Sequence, residues 1–257
     1  MPPLLLVHGM WGRPSTFATL RAELEAAGLR TSAPALPFHD VPPGAPAPPA
    51  LASLRLADYV EALAGEVAAL GERPVLLGHS LGGLLVQLVA ARVGAAGLIL
   101  LAPAPSAQTL RPSLAQLRTL GRVTLGWGWW RRPTLIDAEA ARWGVFNGVP
   151  EAEATAALAE LTWDSGPVLA EIALPFLDRR RGSRVEYRRL TMPALVLFGL
   201  SDRIATAATA RATARRLRGR VDYEEWADCG HWFFHDAIRP RLGERIAAFM
   251  ASLPPAD

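Results

Sequence analysis

Three side chains in this 257-residue sequence have the types needed to cleave an acyl bond. Ser80 stands in Gly78-His79-Ser80-Leu81-Gly82-Gly83. The apolar run Val75-Leu76-Leu77 precedes it and an apolar stretch of helical character follows. A G-x-S-x-G turn between a strand and a helix holds its serine on a sharp, strained bend and lifts the hydroxyl above the sheet. Flanking glycines leave room for strand and helix to approach each other. The Leu81 N–H then stands at a helix N-terminus, where the dipole favours a developing oxyanion. Gly-rich turns of five residues also arise by chance, and the flanking strand and helix are what weigh against that reading.

A serine hydroxyl is a weak nucleophile until a base takes its proton. The sequence offers His8, His39, His79, His231 and His235. His8 and His79 are embedded in motif turns. His231 lies in Asp228-Cys229-Gly230-His231-Trp232, between the last expected strand and the last helix. A loop there opens at the carboxyl edge of a parallel sheet, the same edge as Ser80, so His231 is the expected base. His235 is its rival, with a surface role as the simpler reading. His39 could line the cleft, but a loop histidine without a role accounts for it more simply. The base needs an orienting carboxylate. Asp202, in Phe198-Gly199-Leu200-Ser201-Asp202-Arg203, follows another apolar strand and is the expected partner. Asp228 is the alternative, only three residues before His231. The stretch Ala102-Pro103-Ala104-Pro105 after the strand 97–101 offers no acid. The order Ser80, Asp202, His231 is the Ser…Asp…His order of a nucleophile-elbow hydrolase. A second oxyanion donor is expected at Met10, where Gly9 permits a bend after the first strand.

Alternating strands and helices must position these groups. Strands are expected at 4–7, 30–36, 74–77, 97–101, 194–198 and 221–226. Helices are expected from Ser15 to Ala27, 53–70, 81–93, 206–217 and 240–253. Such alternation implies a mostly parallel α/β sheet flanked by helices. Between 104 and 190 the alternation stops, and the sequence predicts helices, prolines and tryptophans but no buried strand. Residues 1–103 and 191–257 are therefore expected to form one core, and 104–190 a helical insertion.

Composition closes off other chemistries. All 27 basic residues are arginine. No lysine is present for a Schiff base, a P-loop or a Ser-Lys pair. Cys229 is the single cysteine, which excludes an internal disulfide and a cysteine metal cluster. No metal or other cofactor is expected. The formal charge is +3. The one dense basic run, Arg179-Arg180-Arg181 with Arg184, Arg188 and Arg189, reads as a solvated face, so no nucleic-acid partner is expected. The opening Met1-Pro2-Pro3 lacks a charged n-region, and no 18-residue uncharged apolar run occurs. The expectation is a cytoplasmic protein without an integral membrane segment, its oligomeric state open.

Taken together, Val7-His8-Gly9-Met10-Trp11, the Ser80 elbow, Phe198-Gly199-Leu200-Ser201-Asp202 and Gly230-His231-Trp232 resemble the α/β-hydrolase family over nearly the whole chain. Within it they look like small esterases and lipase-like members with a helical cap. The resemblance implies an α/β-hydrolase sheet whose first antiparallel hairpin is missing, a cap at 104–190, and cleavage of carboxylic esters. A serine at the elbow, where dehalogenase- and epoxide-hydrolase-like members carry aspartate, sets those activities aside. Thioester and carbon–carbon bond hydrolysis remain open, as does a ligand receptor on the same fold. The apolar insertion favours hydrophobic acyl or aromatic esters as the small-molecule substrate. Trp11, His79, Trp130 and Trp232 are expected at the substrate pocket. The run Trp127, Trp129, Trp130 reads either as core packing or as an apolar lip in transient contact with lipid.

Overall fold

A computed structural model describes residues 1–254. Six strands form the main sheet: β1 (Leu4–Val7), β2 (Thr31–Ser32), β3 (Val75–His79), β4 (Gly97–Leu101), β7 (Ala194–Gly199) and β8 (Val221–Trp226). Their order is β2-β1-β3-β4-β7-β8, and every pairing is parallel. Helices cover both faces, so the four central strands are buried throughout and read as continuous apolar runs. Alternate residues feed two cores. Leu5, Val7, Leu76, Leu98 and Val196 pack with α2 (Leu56–Ala69) and α3 (Leu81–Val93). Leu4, Leu6, Leu77, Ile99 and Leu197 pack with α1 (Ala18–Ala26) and α9 (Arg239–Ala251) on the other side. β8 is one of the two edge strands, and its Asp222, Glu224 and Glu225 suit a half-exposed position. α8 (Ala207–Ala214) lies between β7 and β8 in the chain.

Two expectations change here. The strand predicted at 30–36 shrinks to Thr31–Ser32, because Pro34 and Pro37 lack the N–H that a ladder needs. Ser15 does not cap the first helix. It lies in a 3₁₀ turn, Pro14–Phe17, and its hydroxyl donates to Glu160 instead.

The chain between β4 and β7 carries α4 (Leu114–Thr124), α5 (Ala138–Gly144), α6 (Glu151–Ala159) and α7 (Gly166–Ala173). It also holds a feature absent from the sequence reading. β5 (Pro133–Thr134) and β6 (Asp164–Ser165) form an antiparallel ladder. Two residues per strand are too few to leave a periodic signal. This segment has an apolar centre of its own, with Trp129, Ile136, Ala141, Phe146 and Leu169, and Trp11 reaches into it from the end of β1.

Candidate active site

The site is built at the carboxyl edge of the sheet, where β1, β3, β7 and β8 end in loops. Ser80 directly follows β3 and has φ 53 and ψ −117, a region that L-residues rarely occupy. The elbow is tight enough to exclude side chains around it. A Cβ on Gly78 would stand 2.2 Å from the Gly82 carbonyl oxygen, and one on Gly82 would stand 2.0 Å from that of Val7. The turn is pinned from both sides, since Ser80 N–H donates to Leu101 and Ala104 N–H donates to Ser80.

His231 follows β8 and is 2% exposed. Its Nδ1 lies 2.7 Å from Asp202 Oδ2. A hydrogen bond there leaves Nε2 as the free ring nitrogen. Asp202 is fixed in turn, because its Oδ1 accepts from Ile204 N–H at 2.6 Å and Ala205 N–H at 2.8 Å. Asp228 takes no part, as its carboxylate is turned outward to Arg241 at 2.7 Å. His79 sits directly beside the base with ring centroids 4.9 Å apart, and its Nε2 donates to the His231 carbonyl at 2.9 Å. Burial, followed by the nearby His231, lowers the His79 pKa to about 3, so the ring is neutral.

The turn after β1 lies against the elbow. A Cβ on Gly9 would be 3.1 Å from Ser80 Cβ. Among the described residues, the Met10 and Leu81 N–H groups donate to no protein acceptor. Ser80, His231, Met10 and Leu81 border one cavity of about 80 Å³. The part of its lining supplied by the segment between β4 and β7 is mostly aliphatic, with Leu120, Ile136, Val145, Leu161, Leu169 and Ile172 beside the polar Gln116.

A model of the alpha/beta hydrolase family matches residues 4–241. The chain belongs to the alpha/beta hydrolase family. Solved structures of the same fold include a pyrethroid hydrolase from Sphingobium faniae JZ-2, 23% identical with a TM-score of 0.72 and 98% of each chain covered. A monoacylglycerol lipase from Paleococcus ferrophilus is 22% identical with a TM-score of 0.70, covering 98% of this chain and 96% of its own. A methylesterase from Arabidopsis is 15% identical with a TM-score of 0.74, covering 98% of this chain and 100% of its own. No curated protein matches the sequence significantly.

Within this alpha/beta hydrolase, the aromatic residues expected at the pocket part company. Trp11, His79 and Trp232 border the cavity. Trp130 does not; it lies in a separate groove with Arg55 and Arg179. Trp129 is the one buried in the apolar centre, packing edge-on to Trp130, and Trp127 is 89% exposed. The six aliphatic wall residues were not singled out from the sequence, where apolar residues of a helical layer look alike whichever side they face. No helix among the described residues is long and apolar enough to cross a membrane.

His39 is also placed differently from its reading as an idle loop residue. It is fully buried, with Nε2 3.2 Å from Asp164 Oδ2. Burial is the largest single influence and lowers its pKa, but the Asp164 contact and the backbone groups of Pro37 and Leu36 together outweigh it and raise the value. Burial, the largest single influence on Asp164, pushes its pKa up, but the His39 contact with the Tyr59 and Ser165 hydrogen bonds holds the carboxyl below its usual range. No sequence motif joins these two residues, which lie 125 positions apart.

Proposed function

We propose that this protein is a serine hydrolase that cleaves carboxylic esters of apolar acyl or aromatic groups through an acyl-enzyme on Ser80. The observation that carries this reading is the strained Ser80 sharing a cavity with His231, whose other ring nitrogen is held by a buried carboxylate at 2.7 Å. Ester hydrolysis is also the kind of reaction named for the lipase and methylesterase of similar fold.

In this mechanism His231 Nε2 takes the Ser80 hydroxyl proton as Oγ attacks the ester carbonyl carbon. Asp202 keeps the proton on Nδ1 and stabilises the imidazolium that forms. Negative charge develops on the carbonyl oxygen, and the Met10 and Leu81 N–H groups, free of other acceptors, receive it. His231 then gives its proton to the departing alkoxide, and the alcohol leaves. A water repeats the cycle: His231 takes its proton, hydroxide attacks the acyl carbon, and Ser80 recovers a proton as the acid departs. Neutral His79 holds the backbone of His231 through the whole cycle without competing for protons. Residues 104–190 serve as a cap whose aliphatic side chains receive the acyl group.

Labelling with a fluorophosphonate, followed by peptide mapping, tests the nucleophile. The label is expected on the peptide containing Ser80, and Ser80→Ala is expected to lose turnover. A p-nitrophenyl ester series set beside matching acyl-thioesters tests the substrate class. Turnover of thioesters alone would replace the ester reading, and absence of turnover on both would favour a binding protein.

A further inference from the structure

The segment that carries the aliphatic wall also grips the backbone that must hold the oxyanion. Trp11, the residue after Met10, has φ 61. Left-handed backbone at a bulky residue costs on the order of 1–3 kcal/mol and persists only where its surroundings over-determine it. Here four tethers do so, and all of them come from residues 129–164. Trp11 N–H donates to Asp164 Oδ2 at 3.1 Å. Its carbonyl accepts from Thr162 N–H at 2.9 Å. Its indole N–H reaches Thr134 Oγ1 at 3.4 Å, and its ring is buried with Trp129 and Ile136.

Asp164 is the hub of this arrangement. Its Oδ1 accepts from Tyr59 O–H at 2.7 Å and from Ser165 N–H at 2.6 Å. Its Oδ2 faces His39 as well as Trp11. The His39 approach is too oblique for a good hydrogen bond and acts as a charge contact. A carboxylate with no exposed surface is expensive unless it is paired and hydrogen-bonded throughout. Three hydrogen bonds, from Trp11 N–H, Tyr59 O–H and Ser165 N–H, together with the His39 charge contact engage both carboxylate oxygens, and a buried network of this kind holds its members in one geometry. The carboxylate thus fixes the backbone one residue beyond Met10, whose own N–H donates to no protein acceptor among the described residues.

We propose that Asp164, held by His39 and Tyr59, is a positioning residue that sets the oxyanion turn Gly9-Met10-Trp11 from within the segment between β4 and β7. The site is then complete only with that segment seated, and the wall that receives the acyl group also assembles the oxyanion donor. This rests on the acyl-enzyme reading given above.

The test uses the full chain, its Asp164→Asn variant and, as a milder change, Tyr59→Phe. Each is assayed with a p-nitrophenyl ester and with an apolar trifluoromethyl ketone, which forms a hemiketal oxyanion on serine. Misplacement by about 1 Å in a reacting geometry lowers rates about a hundredfold. Asp164→Asn is therefore expected to lower kcat by about tenfold to a hundredfold with KM nearly unchanged. The ketone should bind more weakly by the same factor, and Tyr59→Phe should move both values a few-fold in the same direction. If Asp164→Asn does not fold, Tyr59→Phe decides alone. A folded variant that melts earlier but keeps kcat and ketone affinity per active site assigns Asp164 a purely structural role and overturns the proposal. Wild-type protein that neither turns over esters nor binds the ketone overturns the acyl-enzyme reading, and this inference with it.

Discussion

Acidification from pH 7 to pH 5 should destabilise this protein substantially, and two buried histidines dominate the effect. His8 and His79 are both buried, and burial first of all lowers each pKa to about 3. His8 is further depressed by neighbouring His39, while its Nε2 accepts from Leu36 N–H at 3.3 Å and so needs its lone pair. The sign is fixed by linkage. Between pH 6.5 and about 3 the unfolded chain binds protons at these positions and the folded chain does not, so stability falls as pH falls through that window. With an unfolded value near 6.5, each histidine costs about 2 kcal/mol between pH 7 and pH 5, or about 4 kcal/mol for the pair. His39 works the other way, since its raised pKa favours the fold while the ring is charged. Over the same interval it returns less than about 1 kcal/mol, because its unfolded form also becomes protonated by pH 5. A net loss of about 3 kcal/mol is a large share of the stability of an ordinary domain. Urea unfolding followed by tryptophan fluorescence at pH 7, 6 and 5 measures it directly. The midpoint should fall steadily, and His79→Gln should flatten the slope by about half of the two-histidine effect. A midpoint that holds level or rises towards pH 5 would refute neutral burial of both rings.

The two candidate acids separate by substitution. Asp202→Asn should lower kcat by about 10⁴-fold, since the imidazole loses the partner that sets its tautomer. Asp228→Asn should leave kcat within about twofold, because it breaks only an exposed pair with Arg241. Chain-length profiles of p-nitrophenyl esters should respond to the wall of the cavity. Leu169→Phe, at a buried wall position, should shift the preferred acyl chain towards shorter esters, each excluded methylene being worth about 1–3 kcal/mol. An unchanged profile would remove Leu169 from the acyl path.

The parallel core was legible because its signals are local. The runs 97–101 and 221–226 are bounded by turns, and the Gly-rich elbow marks where β3 ends and α3 begins. The loops after β3, β7 and β8 necessarily open on one sheet edge, which is why the sequence alone groups Ser80, Asp202 and His231. What escaped was set by tertiary contacts. The strand at 30–36 was cut short by two prolines on the sheet edge, and β5 and β6 exist only because two distant dipeptides meet. Trp129 and Trp130 are adjacent, yet one is buried in the centre and the other borders an outer groove. Composition cannot divide such a pair. His39 and Asp164 could not be joined from the sequence, since the carboxylate lies between β4 and β7 and the ring in a loop after β2.

The most direct measurement is to trap the intermediate. Rapid mixing with an apolar p-nitrophenyl ester, acid quenching and peptide mass mapping should find one acyl group, on the peptide holding Ser80. It should accumulate in His231→Gln if attack survives and deacylation stalls, and be absent in Ser80→Ala. An acyl group on another residue, or full turnover by Ser80→Ala, would contradict Ser80 as the group that accepts the acyl chain.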